Sequence, residues 1–214
     1  PYSDFTYSYN SVFEQPGCLG ILHQFVQVRL RLRHRKTPSI HYNDGQTIIC
    51  AGTEKVCVMK VLVFSDSHGN TANMEKMIGL ERPDQVLHLG DGYRDAQEIA
   101  ARFPQLPVAC VAGNCDSWGC GAPEERRLTL WGRTIFMVHG HRYQVKRGLL
   151  AAALAAREAQ ADILLFGHTH EALCQRDGAL WILNPGSVRD PFRPSYGVIL
   201  LDGDRTECAL SPVS

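Results

Sequence analysis

The sequence predicts an α/β fold from residue 59 onward, with two packed sheets and helices on the outside. The first half of this region alternates apolar strands with helical stretches, which is typical of parallel βα units. The second half has hairpin turns and short strands, so a simple doubly wound sheet fits it less well. Polar residues follow several strands directly, at the position where open α/β sheets bind ligands.

The parallel half consists of short apolar segments separated by helical ones. Its predicted elements are a strand at 60–65, a helix at 70–81, a strand at 85–89, a helix at 94–102 and a strand at 107–111. Asn70 or Thr71 is a suitable N-cap for the first helix. Parallel pairing of the three strands follows from the helical connections between them.

The second half begins with a predicted hairpin, whose turn is Gly132-Arg133. Its predicted elements are strands at 126–131 and 134–138, a helix at 145–159, and strands at 162–166, 171–176, 180–184 and 196–201. The Ala-rich helix at 145–159 is the clearest of these, because Ala, Leu, Arg and Glu are strong helix formers.

Residues 1–58 differ from the rest of the chain, since they contain no methionine and Met59 directly precedes the first strong strand. Within them, the stretch 25–36 alternates apolar residues with arginines, which suits a half-buried strand with a basic outer face. This stretch is either a basic arm for an anionic partner or upstream sequence translated in frame. We favour the second interpretation, in which 1–58 is an N-terminal extension outside the native protein and 59–214 is the folded domain.

Charge, hydropathy and cysteine usage exclude several classes of protein. Lys+Arg and Asp+Glu number 22 each, so the charge gives no case for nucleic acid binding. No apolar run approaches the roughly 18 residues of a membrane span, and no signal-peptide pattern is present. The eight cysteines are irregularly spaced, which favours reduced thiols in the cytoplasm over a disulfide framework. A homo-oligomer is compatible with the sequence, which does not determine the oligomeric state.

Seven polar side chains with nitrogen or oxygen donors follow the predicted strands. They are Asp66, His68, Asp91, Asn114, His139, His168 and His170. Each alone is a weak signal, because Gly-Asp and Gly-Asn are usually turns and a single histidine is more often hydrogen-bonded than metal-bound. Residues two apart on extended backbone face the same way, so Asp66 and His68 are expected to point together into one crevice, as are His168 and His170. Burying so many polar groups is costly unless a cation coordinates them.

The donor types narrow the choice of metal. Nitrogen and oxygen donors without thiolate suit Mn, Fe, Zn, Ni or Co and argue against Mg or Ca alone. Seven side chains are too many for one catalytic ion, which keeps three protein ligands and an open position. Two ions about 3.5–4 Å apart that share a carboxylate use the set well, and they can hold a bridging hydroxide for in-line attack on phosphorus. The set therefore predicts phosphoryl chemistry.

The segments that carry these ligands resemble the calcineurin-like metallophosphoesterase superfamily. The segments are Asp66-x-His68, Gly90-Asp91, Gly113-Asn114-Cys115-Asp116, His139-Gly140-His141 and Gly167-His168-Thr169-His170. The segments VHGHRYQVK at 138–146 and NPGS at 184–187 resemble the superfamily's small, cap-less branch of YfcE-like phosphodiesterases. The resemblance runs from Met59 nearly to the C-terminus and does not reach 1–58.

That resemblance implies a four-layer α/β/β/α sandwich of two mixed sheets, and it divides the ligands between two divalent ions. One ion is expected at Asp66, His68 and His170, the other at Asn114, His139 and His168, with Asp91 between them. Mn is the expected metal, with Fe, Zn, Ni and Co as alternatives.

The resemblance also implies roles for residues around the ligands. Asp116 is expected to orient a ligand, and 184–187 to form a loop beside the site. Arg94, Arg142 and Arg193 are candidate phosphate contacts, although a solvated arginine is the default for each.

The proton donor for the leaving group is the incomplete part of the predicted site. In larger nucleases and protein phosphatases of the superfamily a histidine follows the asparagine ligand, whereas here that position is Cys115. A thiol, with a pKa of about 8.5, is a poorer proton donor than an imidazolium. We therefore expect faster hydrolysis of aryl than of alkyl phosphodiesters. The predicted catalytic residues are Asp91 and His141. His141 is the candidate proton donor to the leaving group, and a structural role for His141 is an equal alternative.

The main functional prediction is a phosphodiesterase for small phosphate esters. A phosphomonoesterase shares the whole metal core and is not excluded by the motifs. A non-catalytic scaffold similar to Vps29, a trafficking protein of this fold, is the alternative from another class. A nuclease is disfavoured by the neutral charge and by the absence of an accessory domain.

Overall fold

The computed structural model describes residues 58–117 and 119–213, together with the backbone of two strands at 35–43 and 46–54. These strands, β1 (Arg35–Asn43) and β2 (Gln46–Glu54), pair with each other as an antiparallel two-stranded sheet. The alternating stretch 25–36 lies outside the described residues except for its last two positions, so its assignment stays a prediction. The same holds for the boundary at residue 59.

The rest of the described chain forms ten strands and three helices. In order they are β3 (Met59–Phe64), α1 (Ala72–Glu81), β4 (Gln85–His88), α2 (Tyr93–Arg102), β5 (Val108–Cys110), β6 (Glu125–Leu130), β7 (Arg133–Val138), α3 (Leu150–Glu158), β8 (Ile163–Leu165), β9 (Leu173–Asp177), β10 (Leu180–Asn184), β11 (Ser195–Asp202) and β12 (Arg205–Pro212). Within the described residues, no helix is both long enough and apolar enough to cross a membrane.

The first five-stranded sheet has the order β12-β11-β3-β4-β5. Strands β3, β4 and β5 are parallel, as predicted, while β11 runs antiparallel to β3 and β12 completes the edge. Helices α1 and α2 cover the outer face of this sheet. Met74 and Met77 of α1 and Ile99 of α2 pack there against Leu62 and Phe64 of β3.

The second five-stranded sheet has the order β6-β7-β8-β10-β9. Its three central strands are parallel, and the two edge strands run antiparallel to them. Helix α3 covers the outer face with Ala152, Ala153 and Ala156, which pack against Phe136 and Phe166. Such small residues allow a helix to lie close to a sheet. The two aromatic rings fill the space that the alanines leave between helix and sheet.

The two sheets pack face to face across an apolar layer. Val61 and Val63 of β3 point into that layer and meet residues such as Ile135, Met137 and Leu165 of the second sheet. The neighbouring residues of β3 point instead to α1, as the two-residue period of a strand requires. The result is the predicted α/β/β/α sandwich of two mixed sheets.

Four details differ from the sequence prediction. The turn between β6 and β7 is Trp131-Gly132 rather than Gly132-Arg133, since Leu130 pairs with Arg133. Strand β12 was not predicted, although Asp202-Gly203 is a strong hairpin signal, because the residues after it show no clear alternation of apolar side chains. Helix α3 begins at Leu150 rather than at 145, since 141–147 form consecutive hydrogen-bonded turns. The hairpin half is divided between the sheets, because β11 and β12 return to the first sheet.

Candidate metal centre

The predicted ligands lie in loops that follow the carboxyl ends of strands from both sheets. The loops after β3, β4 and β5 carry Asp66 with His68, then Asp91, then Asn114, and the loops after β7 and β8 carry His139, then His168 with His170. Backbone hydrogen bonds join neighbouring loops: the Asp66 N–H donates to Gly90 O at 3.1 Å and the Gly167 N–H to His139 O at 3.0 Å. The sandwich therefore brings all seven residues to one edge.

The backbone of these loops is not extended, so the prediction that Asp66 and His68 converge through a two-residue strand period was wrong. Their φ angles are 54° and 44°, and those of Asp91, His168 and His170 are 53°, 69° and 61°. All five are left-handed conformations, each of which costs a non-glycine residue roughly 1–3 kcal/mol. Strain concentrated in this way is typical of a functional site, and here it turns the side chains inward.

The ligands of the first predicted metal form one compact group. The donor atoms of Asp66, His68 and His170 all lie within 4.8 Å of one another. His170 Nε2 is 3.1 Å from Asp66 Oδ1. Asp66 is fully buried while His170 is exposed, so the group opens to solvent on one side.

The ligands of the second predicted metal gather around His139, which is buried. Asn114 Oδ1 lies 3.1 Å from His139 Nε2, and the His168 ring centroid is 5.0 Å from that of His139. Asp91 lies between the two groups, because its Oδ2 is 3.4 Å from His139 Nε2 and 4.0 Å from His68 Nε2. This is where a carboxylate shared by two cations has to lie.

Asp66 shows most directly that the residues fit a cation. Its Oδ2 accepts hydrogen bonds from Ser65 Oγ at 2.5 Å and from the His168 N–H at 3.2 Å. Its Oδ1 is buried and has no hydrogen-bond partner among the described residues, since the contact with His170 lacks the required geometry. A buried carboxylate oxygen without a partner is costly, and a coordinated divalent ion removes that cost.

The electrostatics around Asp91 also favour a cation. Burial raises the pKa of Asp91, but hydrogen bonds from His139 and from the Cys115 N–H outweigh burial and hold that pKa well below its usual range. Burial lowers the pKa of His139, while Asp91 and Asp66 raise it by more, so the imidazole binds its proton more tightly than usual. His139 Nδ1 lies 2.8 Å from Leu89 O and donates to it, which leaves Nε2 facing the carboxylates. A metal ion bound at Nε2 would displace the proton on that nitrogen.

Asp116 holds the backbone of the Asp91 loop, as its predicted orienting role requires. Its carboxylate accepts the N–H groups of Asp91, Gly92, Tyr93 and Gly113 at 2.8–3.0 Å. The Asp91 loop also passes so close to Gly113 that no side chain fits between them, because a Cβ at Gly113 would lie 2.1 Å from Asp91 Oδ1.

His141 and Cys115 lie at the rim of the cluster. The His141 ring centroid is 5.5 Å from that of His139, and burial and His139 together lower the pKa of His141. Desolvation and the Asp91 carboxylate raise the pKa of Cys115 to about 11. The thiol is therefore an even weaker acid than the sequence suggested.

The predicted phosphate-binding arginines are exposed, and within the described residues none of them forms a hydrogen bond or ion pair with the predicted ligands. Arg142 pairs with Glu124 at 2.6 Å, and Arg94 and Arg193 extend from the surface. Arg189, by contrast, donates to His68 O at 3.1 Å and lines a cavity of about 330 Å³ beside the start of α1. The sequence offered no signal for it beyond its place after the NPGS segment.

A buried polar network under the cluster was also not foreseen. Ser67 Oγ donates to Asp95 Oδ2 at 2.5 Å and lies 3.0 Å from His88 Nε2. Burial lowers the pKa of His88 to about 4. This network anchors the residue between Asp66 and His68. The NPGS loop also holds the backbone of this segment, since Ser187 Oγ donates to Asp66 O at 2.9 Å.

Comparison with known proteins agrees with this fold. The family model of the calcineurin-like phosphoesterase superfamily domain matches residues 59–206. The chain belongs to this superfamily. Among curated relatives of this phosphoesterase domain, the probable metallophosphoesterase YsnB of Bacillus subtilis is 36% identical over 152 residues, covering 68% of this chain and 86% of YsnB. Phosphodiesterase YfcE of Escherichia coli is 30% identical over 175 residues, covering 69% of this chain and 89% of YfcE.

Solved structures support the same superfamily fold. A predicted phosphoesterase from Streptococcus pneumoniae is 26% identical, with a TM-score of 0.63 and coverage of 73% of this chain and 90% of that one. Vacuolar protein sorting 29 from Cryptosporidium parvum is 21% identical, with a TM-score of 0.60 and coverage of 73% and 98%. At that identity the second likeness concerns the fold alone. The predicted resemblance to this superfamily and its YfcE-like branch is confirmed.

Proposed function

We propose that this phosphoesterase domain is a dinuclear, metal-dependent phosphodiesterase that hydrolyses small phosphate esters. The observation that carries the proposal is the buried Asp66 Oδ1, which lacks a hydrogen-bond partner in the described structure and faces the histidine cluster. The names of YfcE and other relatives as phosphodiesterases support the choice of diesters.

The proposed ligand division follows the two groups of side chains. Asp66, His68 and His170 would hold one ion, Asn114, His139 and His168 would hold the other, and Asp91 would be the carboxylate they share. Manganese is the proposed metal, because carboxylate and imidazole donors suit it, with Fe, Zn, Ni and Co as alternatives. Two such ions supply an activated water and neutralise the charge of the phosphate.

The protein's own contribution is to position these ligands. The Leu89 carbonyl fixes the tautomer of His139, so that Nε2 faces the cluster. Asp116 fixes the Asp91 backbone through several N–H groups. The leaving-group proton comes from His141 or from solvent, since the Cys115 thiol is too weak an acid. Acidic leaving groups such as phenolates are therefore favoured.

The cellular setting is proposed from the cysteines. Cys110, Cys115, Cys120, Cys174 and Cys208 are free thiols in the described chain, which is the state that cytoplasmic redox conditions maintain. We therefore place the enzyme in the cytoplasm, acting on a small phosphate ester.

The test is hydrolysis of aryl phosphodiesters and monoesters by metal-reconstituted protein. Asp91→Asn keeps the shape of the side chain but removes the shared carboxylate, so activity should fall at least about 100-fold. Asp204→Asn, in the exposed turn between β11 and β12, is the matched control and should behave as wild type. Full activity of Asp91→Asn would refute the bridging role. Metal binding by wild type without hydrolysis of any ester would favour the scaffold alternative, and a preference for monoesters would favour the phosphomonoesterase.

A further inference from the structure

Cys115 brings a thiol to the edge of the cluster that the ligand assignment does not use. Its Sγ, one ring nitrogen of His68 and one carboxylate oxygen of Asp91 all lie within 4.8 Å of one another. These are three different donor types, and two of them belong to residues already proposed as metal ligands.

Backbone and side-chain contacts fix Cys115 in this position. Its N–H donates to Asp91 Oδ1 at 2.7 Å, which ties the residue to the shared carboxylate. Asn114 Nδ2 donates to Cys115 Sγ at 3.2 Å, while Asn114 Oδ1 faces His139. The amide of Asn114 thus directs its oxygen to one proposed ion and its N–H to the sulfur beside the other.

The spacing of the three donors suits a small thiophilic ion. With the usual Zn–S and Zn–N bond lengths, sulfur and nitrogen ligands of one ion lie about 3.1–3.6 Å apart, the shorter separation being that of a five-coordinate site. The three donors lie within 4.8 Å of one another, so rotation of the exposed Cys115 side chain can bring its sulfur to this ion as a fifth protein ligand beside Asp66 and His170. An amide N–H directed at the sulfur also stabilises a coordinated thiolate.

We propose that Cys115 is a ligand of the His68 and Asp91 metal position when that ion is thiophilic, as Zn²⁺ and Co²⁺ are. Coordination forms one metal–sulfur bond and releases the thiol proton to solvent. A harder ion such as Mn²⁺ uses the nitrogen and oxygen donors and leaves the thiol free. The inference rests on the proposed metal centre and extends it, because the residue that takes the place of the proton-donating histidine becomes a determinant of metal choice.

Cobalt absorption spectroscopy of the metal-free full chain tests this. Visible d–d bands report binding of Co²⁺ to the centre, and a near-ultraviolet charge-transfer band reports a thiolate ligand. Wild type should show both. Cys115→Ser should keep the visible bands and lose the charge-transfer band, whereas Cys120→Ser, which changes a thiol five residues away, should keep both. Competition titrations should show that the preference for Zn²⁺ over Mn²⁺ falls about tenfold in Cys115→Ser.

The outcomes separate this inference from the proposed function. Visible bands without a charge-transfer band in wild type, or a charge-transfer band that persists in Cys115→Ser, overturns the sulfur ligand and leaves the metal centre standing. Absence of all cobalt bands overturns both. Circular dichroism of each variant checks that the fold is unchanged.

Discussion

Replacing Gly113 by alanine tests whether the position of Asp91 controls the site. A Cβ at residue 113 would lie 2.1 Å from Asp91 Oδ1 and 2.3 Å from Asp91 N, whereas ordinary van der Waals contact begins at 3.4 Å. Asp91 or residue 113 must therefore move by about 1.3 Å, which is the difference between these distances. Metal–ligand distances tolerate only about 0.2 Å. We expect a loss of about 100-fold in hydrolysis, together with weaker metal binding.

Gly79→Ala is the matched control, because Gly79 lies inside α1 and an added Cβ meets no atom within 4 Å. It should raise the free energy of unfolding by about 0.5–1 kcal/mol and leave activity unchanged. Both variants are compared by calorimetric titration with Mn²⁺, by aryl diester hydrolysis and by thermal melting in chelator. Wild-type metal affinity and activity in a folded Gly113→Ala protein would refute the conclusion that Asp91 is fixed by its contact with this glycine.

Three further predictions concern the residues around the cluster. Asp116→Ala leaves several backbone N–H groups without an acceptor and should lower the free energy of unfolding by at least about 3 kcal/mol in denaturant titrations, with a smaller loss in Asp116→Asn. For His88, the unfolded chain takes up a proton near pH 6.5 but the folded protein only near pH 4, so stability should fall on acidification through that window. The loss should reach about 3 kcal/mol and should be absent in His88→Gln. His141→Gln should slow alkyl diesters more than aryl diesters in steady-state assays, because a poor leaving group needs the proton more.

Each of these expectations has a result that contradicts it. Equal stability of Asp116→Ala and Asp116→Asn would mean that the carboxylate oxygens are not the acceptors that matter. The same pH dependence in wild type and His88→Gln, measured with chelator present, would assign the acid sensitivity to other groups. An equal loss on both diesters in His141→Gln would remove the general-acid role.

The fold was predictable because its main elements have strong local signals. The apolar runs of β3, β4 and β8 are visible in the sequence, and so is the β6–β7 hairpin, although its turn was placed one residue too late. The polar residues after the strands mark the carboxyl edge of the sheets. The edge strand β12 was missed because an edge strand buries little of its surface and needs no regular apolar pattern. The start of α3 was placed too early because helix propensity does not reveal competing turns such as those at 141–147.

The clustering of the candidate ligands was predictable from the sequence, and their backbone conformation was not. The motifs brought together the side chains that the structure gathers at one edge, yet the left-handed conformations at Asp66 and His68 have no signature in residue type. The network under Ser67 was invisible for a different reason, because His88 and Asp95 meet only through the packing of β4 and α2 on β3. Arg189 likewise reaches His68 only through the tertiary fold.

Every proposed ion draws ligands from both sheets. Asp66 and His68 follow a strand of the first sheet while His170 follows one of the second, and the other ion joins Asn114 to His139 in the same way. A bound metal pair would therefore act as a cross-link across the layer of Val61, Val63 and Ile135 that separates the sheets. Any substitution that changes the thickness of this layer changes the distance between the two halves of the centre. Mutations deep in the core, far from any phosphate, should therefore alter metal affinity, and metal loading should in turn make the two sheets unfold as one unit.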